Sequence, residues 1–242
     1  MELTQCQIEA LEIARKKAKI HQNGLIYQIK NKLIQFDINE SFLEEFHKYI
    51  NDIIPIVSHG KFTLKDLIEE PILKNCFEMN NRDKSYFKYR IEKEAKLFNN
   101  KYTDNTNNSD RPKYASLNIS NNKMGNPLCF GYGKNVIFFK NSIKKRSSFV
   151  YGNSEKDMMY LCNFDYPYAL LFHMNNEIKK VYQNVTNSKA ETLSSYIEVQ
   201  IHGTINIEND VEKIIIDKSI NNNINYINQF RELYPNIKIE LN

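Results

Sequence analysis

The stretch Tyr196-Ile197-Glu198-Val199-Gln200-Ile201-His202-Gly203 alternates without a break between polar and apolar side chains. A period of two is the period of a β-strand, so Ile197, Val199 and Ile201 share one face, and Tyr196, Glu198, Gln200 and His202 share the other. The apolar face belongs to a core. The polar face lines up a phenol, a carboxylate, an amide and an imidazole, with same-face neighbours about 7 Å apart along the strand. Two readings fit that row equally: the solvated face of a half-buried sheet, and a reactive site.

Working outward, β-branched and aromatic runs bounded by Gly, Asn and Pro predict further strands over 113–119, 135–140, 146–151, 205–207, 214–216 and 237–241. Helices are expected among them over 155–161, 168–183 and 224–233. Before residue 99 the periodicity is helical. Thr4 with Gln7, and Ser41 with Glu44, have the spacing of capping boxes. Ile8, Leu11, Ala14 and Ala18 would line the inner face of the first helix, and Leu43, Phe46, Ile50 and Ile53 that of the second, which Pro55 ends. Two more helices are expected, one after Thr63 and one over 86–98. Residues 99–110 carry almost no apolar side chains and read as a linker or exposed loop. The class is therefore α+β, with a helical lobe over 1–105 and a β-rich core over 106–242.

The 242 residues are 41% hydrophobic and 12% aromatic, enough apolar surface to close a core, which excludes a disordered chain. A mean hydropathy of -0.57 and the lack of any run near the roughly 20 apolar residues of a membrane-spanning helix are read as excluding an integral membrane protein, and no membrane partner is expected. The start lacks the cationic and apolar regions of a secretory signal. The expected location is cytoplasmic, or a host cell reached without such a signal. Thirty-three basic against twenty-nine acidic side chains give +4, too mild to support a nucleic-acid partner. Cys6, Cys76, Cys129 and Cys162 are scattered and read as reduced thiols, and the five histidines show no ligand spacing, so no metal site is expected. Asparagine, about one residue in seven, is the oddest feature of the composition and reads mainly as the bias of an AT-rich genome.

Two more segments carry candidate chemistry. Arg146-Ser147-Ser148-Phe149-Val150-Tyr151-Gly152-Asn153-Ser154 places Ser147, Phe149 and Tyr151 on one strand face ahead of a turn, which suits either a nucleotide pocket or ordinary cross-strand pairing. Arg111 stands at the mouth of the strand over 113–119. From the residues alone a surface pair with Asp110 is the better-supported reading, a diphosphate clamp the other.

In order, these segments resemble the Arg-Ser-Glu pattern of the mono-ADP-ribosyltransferase superfamily. More closely, RPKYASLNI at 111–119, NPLCFGYGKNVIFF at 126–139, RSSFVYGNS at 146–154 and YIEVQIHG at 196–203 resemble an uncharacterised bacterial domain family. Its pattern runs Arg-Pro-Lys-Tyr-Gly-x-Leu-Asn, Arg-Thr-Thr-Phe-x-x-Gly-Asp-Ser and Glu-x-Gln-x-His-Gly. Upstream, Arg90, Glu94, Leu97, Phe98 and Tyr102 keep the spacing of its Arg-x-x-Trp-Glu-x-x-Leu-Phe segment, with Lys93 at the Trp position; the functional assignments begin at Arg111.

The resemblance implies an ADP-ribosyltransferase-like core of two packed sheets. It implies NAD as substrate and a macromolecular, protein acceptor, as in a toxin or effector. Glu198 would stabilise the positive charge that develops as the nicotinamide-ribose bond breaks. Arg111 would hold the diphosphate or adenosine ribose, and Ser147 would fix the carboxylate and nicotinamide ribose. Ser148, Tyr196 and Gln200 would complete the NAD site, with Phe149 or Tyr151 stacking on the nicotinamide. Hydrolysis of NAD, or a non-catalytic interaction module, are the alternatives.

Overall fold

The computed structural model of the chain describes residues 2–152, 154, 160–187, 189–219 and 224–242. Its strands are β1 (Ile56–Gly60), β2 (Ile72–Leu73), β3 (Lys113–Leu117), β4 (Asn135–Phe139), β5 (Ser147–Tyr151), β6 (Cys162–Asn163), β7 (Ile197–Ile201), β8 (Ile205–Asn206), β9 (Val211–Ile216) and β10 (Lys238–Leu241). Eight of them form one mixed sheet in the order β10-β9-β4-β1-β3-β7-β5-β6, and β2 pairs with β8 in a two-stranded ribbon. One large sheet and a ribbon thus stand where two packed sheets were expected. The helices are α1 (Gln5–Gln35), α2 (Phe42–Lys48), α3 (Leu64–Glu69), α4 (Cys76–Met79), α5 (Lys84–Leu97), α6 (Ala169–His173), α7 (Ile178–Asn187), α8 (Ile207–Asp210) and α9 (Ile224–Leu233). None among the described residues is long and apolar enough to cross a membrane.

The expected β7 is present and every residue in it is buried. It lies between β3 and β5 with both neighbours antiparallel, so directly opposed residues share a face. Glu198 stands opposite Ser116 and Val150, and Gln200 opposite Tyr114 and Ser148. Ile197, Val199 and Ile201 oppose Leu117, Ala115 and Lys113 on one side and Tyr151, Phe149 and Ser147 on the other. The apolar face meets the main core, to which α2, α6, α7 and the C-terminal half of α1 contribute Phe46, Leu170, Val181 and Leu33. The opposite face is covered as well. Ala10 and Ala14 of α1, with Phe98 and Tyr102 after α5, pack on Val150.

Helices stand in the first hundred residues as expected at α1, α2, α3 and α5, but β1 lies among them where the periodicity predicts no strand. It pairs with β3 and β4 in the middle of the sheet, so residues before and after 105 share one sheet. In α1 the buried face runs through Gln7, Ala10, Ala14 and Ala18, whereas Ile8 is 39% exposed. Small side chains let this helix approach the edge of the sheet. Ser41 makes no capping bond, and the expected helix over 168–183 divides at Met174, with a single 3-10 turn between α6 and α7. Most of the helix expected over 155–161 lies outside the described residues. The run 99–110 is no simple linker, because Tyr102 within it is fully buried.

Asparagine has a structural use here. Asn80, Asn99, Asn100 and Asn121 adopt positive φ, which L-residues other than Asn and Asp rarely tolerate, in a chain with only seven glycines.

Candidate functional site

A cleft of about 290 Å³ opens on the Glu198 face of the sheet, between β1, β3 and β7 on one side and α4, α5 and the turn over Pro127–Tyr132 on the other. Glu198 lines it, together with Tyr114, Ser116, Tyr196, Arg90 and Arg82. Lys74 is the remaining charged residue among the described ones that line it, so the described lining carries three cations and one carboxylate. Such walls favour an anionic ligand.

Glu198 is 5% exposed and is held from two directions. Nε2 of Gln200 donates to its Oε1 at 3.0 Å, and Nη2 of Arg90 approaches the same oxygen at 3.5 Å. Arg90 comes from α5, where it and Glu94, one turn apart, are the inward residues. Its guanidinium lies 3.6 Å from the centroid of the Tyr114 ring, a cation-π contact, and Nη1 donates to Ser154 at 3.1 Å. The Tyr114 hydroxyl in turn donates to Glu94 Oε1 at 2.8 Å, and Nη1 of Arg111 donates to Glu94 Oε2 at 2.8 Å. Two buried ion pairs, Arg111 with Glu94 and Arg90 with Glu198, are therefore joined through the neutral, half-buried Tyr114.

The remaining lining groups are poor bases. Burial raises the hydroxyls of Tyr114 and Tyr196 and the thiols of Cys76 and Cys129, so all four stay protonated in neutral solution. His59 has both ring nitrogens engaged: Nδ1 donates to the Gly133 carbonyl at 3.3 Å and Nε2 accepts from the Asn126 amide at 3.0 Å. Among the described lining residues that leaves Glu198 as the candidate for stabilising a cation or taking a proton.

Of the residues singled out in the sequence, Glu198 and Tyr196 reach this cleft. Gln200 and Ser148 lie behind Glu198, both fully buried, with the Ser148 hydroxyl donating to Gln200 Oε1 at 3.1 Å. Arg111 does not line the cleft. It is 1% exposed, donates to Glu94 and the Thr103 carbonyl, and stacks over Phe77. The expected surface pair with Asp110 is absent because the guanidinium turns inward to the buried carboxylate of α5.

Ser147, Phe149 and Tyr151 lie on the opposite face of the sheet. Their register partners are Ile201, Val199 and Ile197, so they point away from Glu198. The Ser147 hydroxyl donates to the Ile143 carbonyl at 2.8 Å, Phe149 packs edge-on against Phe164, and Tyr151 donates to Glu177 at 2.6 Å. The Arg-Ser-Glu set therefore does not meet in one cavity. Arg90, which the sequence showed only as part of the upstream resemblance and without a role, and Tyr114 and Ser116, which it did not single out, line the cleft beside Glu198. The 90/94 spacing and the alternation of Tyr114 with Ser116 on β3 were the available signals.

His202 ends the polar row away from the cleft. It stacks on Tyr102, whose hydroxyl lies 2.6 Å from Nδ1, and burial, aided by Arg146, pushes its pKa down to about 3. It is thus a neutral structural group. Because the folded pKa lies below the ordinary 6.5, the unfolded chain binds the proton first, and stability falls as pH drops below 6.5. Between pH 6.5 and pH 5 this one residue is expected to cost about 1.5 kcal/mol. Urea melts should show that slope in the wild type and a shallower one in His202→Gln; identical slopes would refute the assignment.

The family model described as "Protein of unknown function (DUF3626)" matches residues 55–171 and 158–242. No curated protein matches the chain in sequence. Since the matched residues contain every strand of the sheet and every described wall of the Glu198 cleft, the chain belongs to this family of unknown function, DUF3626.

Proposed function

We propose that the chain is an NAD-dependent mono-ADP-ribosyltransferase, with the Glu198 cleft as its site. The observation that carries the reading is the nearly buried carboxylate of Glu198 opening into a cleft whose other charged lining groups, among the described residues, are cationic. NAD offers what such walls select: an anionic diphosphate, ribose hydroxyls and flat rings. In the reaction the bond from ribose C1′ to nicotinamide breaks, nicotinamide leaves neutral, and the acceptor attacks C1′ and gives up its proton. Glu198 would face the positive charge that builds on the ribose, in a site where burial strengthens the interaction. The clamp role expected for Arg111 passes to Arg90 and Arg82, and that of Ser147 to Ser116. Tyr114 and Tyr196 supply the ring faces expected from Phe149 and Tyr151. A volume of about 290 Å³ is at the low end for small-molecule sites, so the nicotinamide riboside end would enter and the rest of NAD would cross the mouth.

The test is incubation with NAD labelled in the adenylate, alone and with a cell lysate. Label on macromolecules supports transfer. Free ADP-ribose without macromolecular label supports hydrolysis, and neither, with no calorimetric heat from NAD, supports an interaction module. Ser147→Ala is expected to lose about 1 kcal/mol of stability with its hydrogen bond and to keep turnover within about twofold. A loss of turnover without loss of stability would return Ser147 to the site.

A further inference from the structure

We propose that Gln200, set by Ser148, is a positioning residue for Glu198: it anchors one carboxylate oxygen from behind so that the other faces the cleft. The inference rests on the Glu198 cleft being the reactive site.

Gln200 and Ser148 are both 0% exposed and neither lines the cleft, so neither can touch a ligand there. Their hydrogen bonds nevertheless have a direction. A serine hydroxyl donating to the amide oxygen at 3.1 Å decides which way the amide is turned and aims its NH₂ at Glu198 Oε1, 3.0 Å away. Arg90 approaches that same oxygen from α5. Among the described residues none hydrogen-bonds Glu198 Oε2, the oxygen left to face the cleft. With Oε1 anchored from the sheet and from the helix, the carboxylate cannot swing about its terminal torsion without breaking both contacts.

Packing alone does not account for an amide at this position. Burying an amide between a sheet and a helix costs free energy that a Met or Leu would not incur, and it is tolerated when both ends are bonded. Here one end is bonded to a serine buried behind the cleft, and the other to the carboxylate of Glu198, which opens into it. Orientation is worth this arrangement, since a misplacement of about 1 Å at a reacting group can cost about a hundredfold in rate.

The experiment compares wild type, Gln200→Met and Ser148→Ala by nicotinamide release from NAD, together with crystal structures of wild type and Gln200→Met. Gln200→Met should lower kcat by about 10- to 100-fold with KM for NAD within about threefold, and Ser148→Ala should show a smaller loss of the same kind. The Glu198 carboxylate should be rotated in the Gln200→Met structure. If wild type turns over NAD and Gln200→Met keeps kcat within threefold, or loses kcat and melting temperature together with Glu198 in place, the positioning role is overturned. If wild type releases no nicotinamide, the enzymatic reading fails on its own. The structures then decide the anchoring: a rotated Glu198 supports it and an unmoved one overturns it.

Discussion

Glu198→Gln is expected to lower nicotinamide release from NAD by about 10²- to 10³-fold while NAD affinity stays within severalfold. The size follows from removing one preorganised charge from a site where charge develops in the transition state. The substitution keeps the volume and a hydrogen-bonding oxygen but removes the negative charge. Arg90 remains supported by the Tyr114 ring and by Ser154, so the fold should persist, which a melting curve can check. Severe loss of turnover with unchanged binding is the signature of an interaction used only in the transition state. A parallel loss of binding would point instead to a role in holding NAD.

The largest effect on stability is expected at Arg111. Arg111→Met leaves the carboxylate of Glu94 buried, with only the Tyr114 hydroxyl of its two closest donors remaining. Breaking one side of a buried ion pair costs about 3–5 kcal/mol, whereas replacing both sides by apolar groups can be nearly neutral. Arg111→Met should therefore unfold at much lower urea, and Arg111→Met combined with Glu94→Leu should recover part of the loss. A single-variant cost under about 1 kcal/mol, or strict additivity in the double variant, would contradict the buried pairing of Arg111 with Glu94. The folded fraction of Arg111→Met should still bind NAD, because Arg111 does not line the cleft.

The polar row of β7 was legible because a period of two needs no partner to be recognised. What it could not convey was which face of a neighbouring strand joins it. That depends on pairing phase, and a shift of one residue exchanges the faces. β5 pairs Ser148, not Ser147, with Gln200, and this phase carried Ser147, Phe149 and Tyr151 to the main core. The inward pairing of Arg111, in place of a surface pair with Asp110, was hidden for a different reason: its partner, Glu94, lies on a helix whose inward face is charged, where periodicity leads one to look for apolar residues. β1 was hidden because a five-residue strand with Ser58, His59 and Gly60 in it offers little alternation. Asn75, Asn126 and Asn206 cap helices or turns, so the asparagine excess, whatever its genomic origin, is partly absorbed where chains bend.

The most direct test of the Glu198 cleft as an NAD site is a crystal structure of Glu198→Gln, which should bind NAD and consume it far more slowly than wild type, from crystals soaked briefly with millimolar NAD. The nicotinamide riboside is predicted to lie in the cleft against Tyr114 and Arg90, with its C1′ beside residue 198 and the diphosphate toward Arg82. NAD bound on another face of the sheet, or a cleft without NAD at that concentration, would contradict the account.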